Sequence, residues 1–458
     1  MEKADQVKLQ FLGAAGTVTG SKYLLSTPTK NILIDCGLFQ GLKELRELNW
    51  ADLPFDPSSI DKILLTHGHL DHVGYLPRLV NAGFKGDIWG TKPTLEIAEV
   101  ILMDSARIQE EDAKRANEGK YSKHKEAKPL YDSKAVESTI PLFVTKNCDE
   151  WIELDKDLSC RFNYNSHILG ATYIEIRYKT KIIVFSGDIG RDNDLLMFPP
   201  KKPKHADVVL IESTYGDRFH PAEYAKLFFL QMKQYINDSH TILIPSFAVE
   251  RTQLLMYLLM QMKTKGELGD IPVYMDSPMG THIFDIFIKN PSWHKLPVKA
   301  CEDISKSIRM IRTPEETISL AASLKKKIII AGSGMATGGR MLTYFQNYLG
   351  DSTATILLVG YQAEGTRGRK LLDGEPKIKL MGEYYKVKAK IRQIEGLSSH
   401  ADQKDLLNWL SEIDKQPENI FIVHGEKNAS QQLKEKIKER YGWDAELPQL
   451  NQVFIINA

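Results

Sequence analysis

Apolar and polar positions alternate through residues 7–12, the period of a strand with one buried face. The pattern recurs at 21–27 and 31–35 around Thr-Pro-Thr-Lys, which predicts a hairpin. Short apolar runs at 63–65 and 208–211 predict buried strands. Residues 158–164, 173–178 and 181–186 are apolar or alternating and predict further sheet. Residues 73–82 read as a helix stopped by Gly83, and 94–117 have helical periodicity. From about 217 to 390 the rhythm changes. Helical stretches at 222–236, 250–264, 315–325 and 339–348 alternate with apolar runs at 242–245, 272–275, 327–331 and 355–359. That alternation predicts βαβ units and a parallel sheet. A strand at 419–423, a helix to about 440 and a strand at 453–456 follow. The expected fold class is therefore α/β, with one α/β domain (213–390) inserted into another (1–212 and 391–458).

Composition changes this picture little. The chain has 458 residues, 42% hydrophobic and 26% charged, enough for two or three domains. Lys plus Arg number 60 against 59 Asp plus Glu, so net charge neither favours nor excludes a nucleic-acid partner. No apolar run approaches the roughly 20 residues that span a bilayer, so no membrane partner is expected. The first six residues lack the layout of a secretory signal. Cys36, Cys148, Cys160 and Cys301 are scattered without a CxxC, which suits free thiols in a reducing, cytoplasmic setting. One charged stretch stands out at 110–134, with Lys114, Arg115, Lys120, Lys123, Lys125 and Lys128. It is a solvated helix and loop, or a flap that touches a polyanion.

The chemistry gathers at strand ends. After the apolar run 63–65 and Thr66 come His67, His69, Asp71 and His72, four metal-capable side chains within six residues. Imidazole nitrogen and carboxylate oxygen suit zinc and similar ions. His67 and His69 can grip one ion, and Asp71 and His72 aim at a second position. Further ligand-type residues close other strands beside turn-forming residues, namely Asp35, His167, Asp188, Glu212 and later His424, while His400 stands where a helix begins. A lone His or Asp in such a place is usually structural, and the repetition is what makes these look convergent. In the inserted region, Gly332 to Arg340 follows an apolar strand and opens a helix. Ser333, Gly334 and Arg340 are there candidates for a substrate phosphate, through backbone N–H groups and a guanidinium. Simple turn geometry is the competing reading.

The ordered set Asp35, HxHxDH, His167, Asp188, Glu212, Ser-Ser-His400-Ala-Asp and Val-His424-Gly-Glu resembles the β-CASP group of metallo-β-lactamase-fold nucleases. Pro-Ser-Phe-Ala-Val-Glu-Arg-Thr-Gln, Asp276-Ser-Pro and Ser-Gly-Met…Gly-Gly-Arg are similar to that group's inserted domain. The resemblance implies an αββα sandwich carrying an inserted β-CASP domain, with single-stranded RNA entering between them. It implies two zinc ions. One would be held by His67, His69, His167 and Asp188, the other by Asp71, His72, His424 and the shared Asp188. Asp35 would orient the histidine loop from behind. A metal-activated hydroxide would cut the phosphodiester, endonucleolytically or also from a 5′ end. His400 is the candidate general acid and Glu212 its orienting partner. A homodimer is open by the same resemblance, with no residue arguing for it. The rivals are a DNA-processing nuclease of the same family, a non-catalytic RNA-binding scaffold, and a small-molecule hydrolase. A scaffold would have lost ligands that this chain keeps.

Overall fold

A computed structural model describes residues 6–119, 126–360, 362 and 364–457. The chain divides into two compact units, Met1–Phe219 with His400–Ala458, and His220–Ser399.

The first unit opens with β1 (Gln6–Phe11), β2 (Tyr23–Ser26), β3 (Asn31–Ile34), β4 (Lys62–Leu64), β5 (Asp87–Gly90) and β6 (Phe143–Thr145). Then come β7 (Ile152–Asp155), β8 (Leu158–Tyr164), β9 (Thr172–Tyr178), β10 (Lys181–Phe185) and β11 (Val208–Glu212). The second unit holds β12 (Thr241–Pro245), β13 (Val273–Asp276), β14 (Ile308–Met310), β15 (Lys327–Ala331) and β16 (Ala354–Leu358). A hairpin of β17 (Lys377–Leu380) and β18 (Glu383–Lys386) and an edge strand β19 (Lys390–Gln393) complete it. The chain returns to the first unit with β20 (Asn419–Val423) and β21 (Val453–Asn457).

Two sheets make the first unit, in the orders β21-β1-β2-β3-β4-β5-β6 and β20-β11-β10-β9-β8-β7. The alternating strands explain why they stack. Val7, Leu9 and Phe11 of β1 share one core with Phe162, Ile174, Phe185 and Phe421 of the other sheet. The opposite face of the first sheet, with Leu33, Ile63 and Ile88, packs on Leu76, Leu79, Leu95 and Leu102 from helices. That of the second, with Val184, Val209 and Ile211, packs on Leu406, Trp409, Leu433 and Ile437. Helix, sheet, sheet, helix is the expected αββα sandwich.

In the second unit the order is β14-β13-β15-β12-β16-β19, and every pair is parallel. Its three central strands, β12, β15 and β16, are mostly apolar and buried at every position, as a sheet covered on both faces requires. The unit runs past the expected end at 390 because Lys390–Gln393 pairs with β16.

One local difference from expectation has a plain cause. The helix expected over 73–82 is two, Leu70–Val73 and Leu76–Asn81. Tyr75 N donates to Cys36 O instead of continuing the first helix, and Pro77 starts the second. The helix Lys92–Glu118 buries Leu95, Ile97, Ala98, Ile101, Leu102 and Ala106 in its first half only. In its exposed half, Arg115 pairs with Glu111 and Lys114 with Glu118. Lys120, Lys123 and Lys125 lie outside the described residues. No helix among the described residues is long and apolar enough to cross a membrane.

Candidate metal centre

The site lies where strands of both sheets of the first unit end. β4 runs into Thr66 and His67, β8 into His167, β10 into Asp188, β11 into Glu212 and β20 into His424. Several of these residues sit in left-handed backbone, namely Asp35 (φ 58°), Ser166 (φ 66°) and His424 (φ 48°). Such conformations persist where the surroundings over-determine them. His424 N donates to Ala14 O at 2.7 Å, and Asp35 N donates to Leu64 O at 2.9 Å. Gly37 is required here. A Cβ on it would stand 1.5 Å from Asp71 O, beside the backbone bonds Ser21 N to Asp71 O and Cys36 N to His72 O.

Two clusters result. In the first, His69 Nδ1 lies 3.1 Å from both His67 Nε2 and His167 Nε2. Asp188 Oδ2 is 3.4 Å from each of those Nε2 atoms. In the second, His72 Nε2 is 3.3 Å from His424 Nε2, and His424 Nε2 is 3.4 Å from Asp71 Oδ2. Asp188 Oδ1 approaches His72 Nε2 at 3.3 Å. One carboxylate thus turns one oxygen to each cluster.

Supporting residues fix the rings. Asp35 Oδ2 lies 2.7 Å from His72 Nδ1, so it accepts the hydrogen bond from Nδ1–H and turns Nε2 toward the cluster. Asp35 is itself held by Thr66 N (2.8 Å), Thr66 Oγ1 (2.9 Å) and Ser21 Oγ (3.4 Å). Thr214 Oγ1 lies 3.2 Å from His424 Nδ1. Asn165 Nδ2 donates to the carbonyls of Ser186 and Asp188, both at 2.7 Å. Sequence reasoning passed over Ser21, Thr66, Asn165 and Thr214. Their adjacency to a strand end and a candidate ligand was the available signal.

The electrostatics follow from burial and crowding. Burial, with the charge on His72, drives His67 down to about 3. Burial brings His69 down to about 4 and takes His167 well below the ordinary imidazole value. Burial also disfavours charge on His72, but Asp188 and Asp35 outweigh it and hold this ring well above its usual value. Asp188 is pushed up by burial and pulled down further by the surrounding imidazoles, so it stays ionised.

Such a donor set fits a metal. Imidazole nitrogens face one another at 3.1–3.3 Å in each cluster. That is close to the ~3.3 Å edge of a tetrahedron with zinc–nitrogen bonds of about 2.0–2.1 Å. Asp188 Oδ1 is fully buried with no hydrogen-bond partner, an orphan that a cation would satisfy. The groups His67, His69, His167, Asp188 and Asp71, His72, His424 each offer ligand atoms within 4.8 Å of one another.

Beside the clusters, Glu212 is fully buried, its Oε1 accepting from Ile189 N (2.6 Å) and lying 3.2 Å from His400 Nδ1. His400 Nε2 faces Asp188 Oδ2 at 3.9 Å. Burial lowers the pKa of His400, but Glu212 and Asp188 outweigh it and the net direction is up.

The expected phosphate loop is different. In the second unit, Arg340 Nη1 is bound to Asp276 Oδ1 at 2.5 Å, and its Nη2 donates to Arg312 O at 2.7 Å. Asp276 is fully buried and also accepts from Thr317 Oγ1 (2.7 Å) and Tyr344 OH (2.5 Å). The guanidinium is engaged by a buried carboxylate and a backbone carbonyl, which supports a structural role for it beside the expected contact with substrate. Ser333 Oγ accepts from the loop's own Thr337 N (3.0 Å) and Gly338 N (3.2 Å), so these amides are occupied too. A Cβ on Gly334 would strike the Phe247 ring at 2.6 Å, so this glycine serves close packing.

Comparison with known proteins agrees with the geometry. Residues 15–226 match the metallo-beta-lactamase superfamily, 252–371 the Beta-Casp domain, and 384–448 the Zn-dependent metallo-hydrolase RNA specificity domain. Ribonuclease TTHA0252 of Thermus thermophilus is 32% identical, over 90% of this chain and 92% of that protein. The chain belongs to the β-CASP group of the metallo-β-lactamase superfamily. It is a metal-dependent hydrolase of that group, built as an αββα sandwich with an inserted β-CASP domain. Transcription termination factor FttA of Methanosarcina mazei is 29% identical, over 96% of this chain and 70% of that one. A crystal structure of a protein of unknown function from Enterococcus faecalis V583 shares the fold, at 12% identity, with a TM-score of 0.53, covering 98% of this chain and all of that one.

Proposed function

We propose that the protein is a zinc-dependent ribonuclease that hydrolyses phosphodiester bonds of single-stranded RNA. The observation that carries this is Asp188, an ionised buried carboxylate turning one oxygen to each of two histidine clusters. His67, His69 and His167 would hold one ion, and Asp71, His72 and His424 the other, with Asp188 between them. When bound, such ions bring the pKa of bound water to about 7 and polarise a phosphoryl oxygen. RNA as the substrate is supported by the ribonuclease name of the Thermus relative and by the RNA-specificity match over 384–448.

The chain's own groups do the rest. Asp35 keeps the His72 proton on Nδ1. Thr214 steadies His424 at its Nδ1. Glu212 receives the Nδ1 side of His400 and favours the imidazolium, leaving Nε2 to hand a proton to the departing ribose oxygen. The test is cleavage of matched 5′-labelled single-stranded RNA and DNA oligonucleotides, with metal analysis of the purified protein. Two zinc ions per chain with RNA-selective cleavage is the expected result. Equal cleavage of DNA would move the reading to a DNA-processing member of the family. Bound metal with neither strand cut would overturn it.

A further inference from the structure

On the outer face of the second sheet of the first unit lies a cavity of about 540 Å³ that takes no part in the metal centre. Its floor is Asn163 of β8 and Tyr173 of β9. One wall is the segment carrying Lys201, Lys202 and Lys204. The volume is in the range of small-molecule sites and far exceeds that of an inorganic anion.

Three features describe what would fill it. Asn163 is only 5% exposed, yet its Nδ2 has no hydrogen-bond partner. Leaving a buried amide donor unpaired is unfavourable, and a ligand oxygen would satisfy it. The lysines are lightly held. Lys202 reaches Glu412 only at 3.8 Å, and the Glu412 side chain is 51% exposed. Lys204 is in no ion pair among the described residues. Lys201 reaches Asp149 at 2.6 Å, but both side chains are 52% exposed, a kind of pair that is worth little and exchanges readily. By contrast Arg161 is committed to Glu175, and it stacks on Trp151 with Arg177 on the same ring. The fixed pair cancels itself, and the three lysines outnumber the two other lining carboxylates, Asp149 and Glu412, which leaves an excess positive charge to attract an anion. Finally, Tyr173, Ile182 and Pro200 supply apolar surface for an organic group.

We propose that this cavity binds a nucleoside monophosphate unit, its phosphate on Lys201, Lys202 and Lys204 and a ribose or base oxygen on Asn163 Nδ2. The choice of a nucleotide rests on the ribonuclease reading. The unit is either one residue of the RNA strand or a free nucleotide. Lys201 N donates to Tyr164 O at 2.9 Å, and Tyr164 ends β8 three residues before His167. The lysine wall is therefore anchored within about 10 Å of extended chain from the metal centre.

The experiment uses the full chain. UMP and AMP are titrated calorimetrically, and a short 2′-O-methyl phosphorothioate RNA that resists hydrolysis is titrated by fluorescence anisotropy. The variants are Lys204→Glu and the double Lys201→Ala/Lys202→Ala, all on the surface segment. Binding of UMP or AMP weakened tenfold or more by both variants supports a free-nucleotide site. Unmeasurable mononucleotide binding, with RNA binding weakened tenfold and a salt dependence shallower by about one ion per lysine removed, supports a strand contact. Variants that bind mononucleotides and RNA as the parent does overturn the proposal, as does a parent that binds neither. Turnover of bis(p-nitrophenyl) phosphate should be the same in all three proteins. A parent that binds UMP but cuts no RNA would sink the ribonuclease reading and leave the cavity standing.

Discussion

Replacing Arg340 with methionine separates two roles for that residue. Its side chain is 17% exposed and faces Asp276, whose side chain is fully buried. Arg340→Met leaves the Asp276 carboxylate with Thr317 Oγ1 and Tyr344 OH as donors and no countercharge. Removing one partner of a buried ion pair costs about 3–5 kcal/mol, because the other charge stays desolvated. The unit concerned spans His220–Ser399. For a unit of that size each kcal/mol moves the midpoint by about 2–4 °C, so its thermal transition should fall by roughly 10 °C. Asp276→Asn on top of Arg340→Met should recover most of the loss, since the amide oxygen still accepts from the hydroxyls and no charge remains. Calorimetric melting of the three proteins reads this directly. Kinetics on a labelled RNA, run well below both midpoints, read the alternative. An unchanged melting profile with a KM raised about tenfold would refute the structural role and restore Arg340 as a phosphate contact.

Other outcomes follow from the metal centre and its surroundings. His69→Ala should abolish bound metal and cleavage together, because His69 Nδ1 meets both His67 and His167; metal analysis beside an activity assay checks this. His400→Ala should keep the metal content and lose about 10²–10⁴-fold in kcat. Normal turnover in that variant would remove His400 from proton transfer. Lys22 is buried with its Nζ on Gly37 O and against the Phe39 and Tyr75 rings, and burial lowers its pKa from 10.5 to about 8. Between those values the unfolded chain holds a proton that the folded chain has released, so folding becomes more favourable as pH rises through that window. The parent's stability relative to Lys22→Met should then climb by up to about 3 kcal/mol from pH 7.5 to pH 10.5. A urea-midpoint difference that stays constant with pH would refute the buried charge.

Apolar period made much of the fold legible. The four strands expected in the inserted region lie at Thr241–Pro245, Val273–Asp276, Lys327–Ala331 and Ala354–Leu358, because a doubly covered sheet needs continuous apolar runs. What escaped were short or half-polar elements. The hairpin Lys377–Leu380 and Glu383–Lys386 hides its two buried residues, Ile378 and Leu380, among charges. Asp87–Gly90 is four residues long, too short for a period to declare itself. At the site, ligand-type residues recurring at strand ends were visible in one dimension, and their convergence follows from strands that end on the same side. The pairing of Arg340 with Asp276 was not legible, because the partner lies 64 residues away and spacing carries no record of tertiary pairing. Asn163 raised no signal either, since an unpaired amide is a property of its packing alone.

The two histidine clusters draw on both sides of the inserted unit, and this has a consequence for biosynthesis. Asp71, His72 and Asp188 are made early, but His400 and His424 follow the whole of His220–Ser399. β11 cannot gain its parallel neighbour β20, nor β1 its partner β21, until those last segments have left the ribosome. A chain stalled or cut anywhere before residue 424 lacks a ligand-type residue from one cluster and a strand from the sheet that supports it. The second cluster is thus completed only after translation has passed the insert.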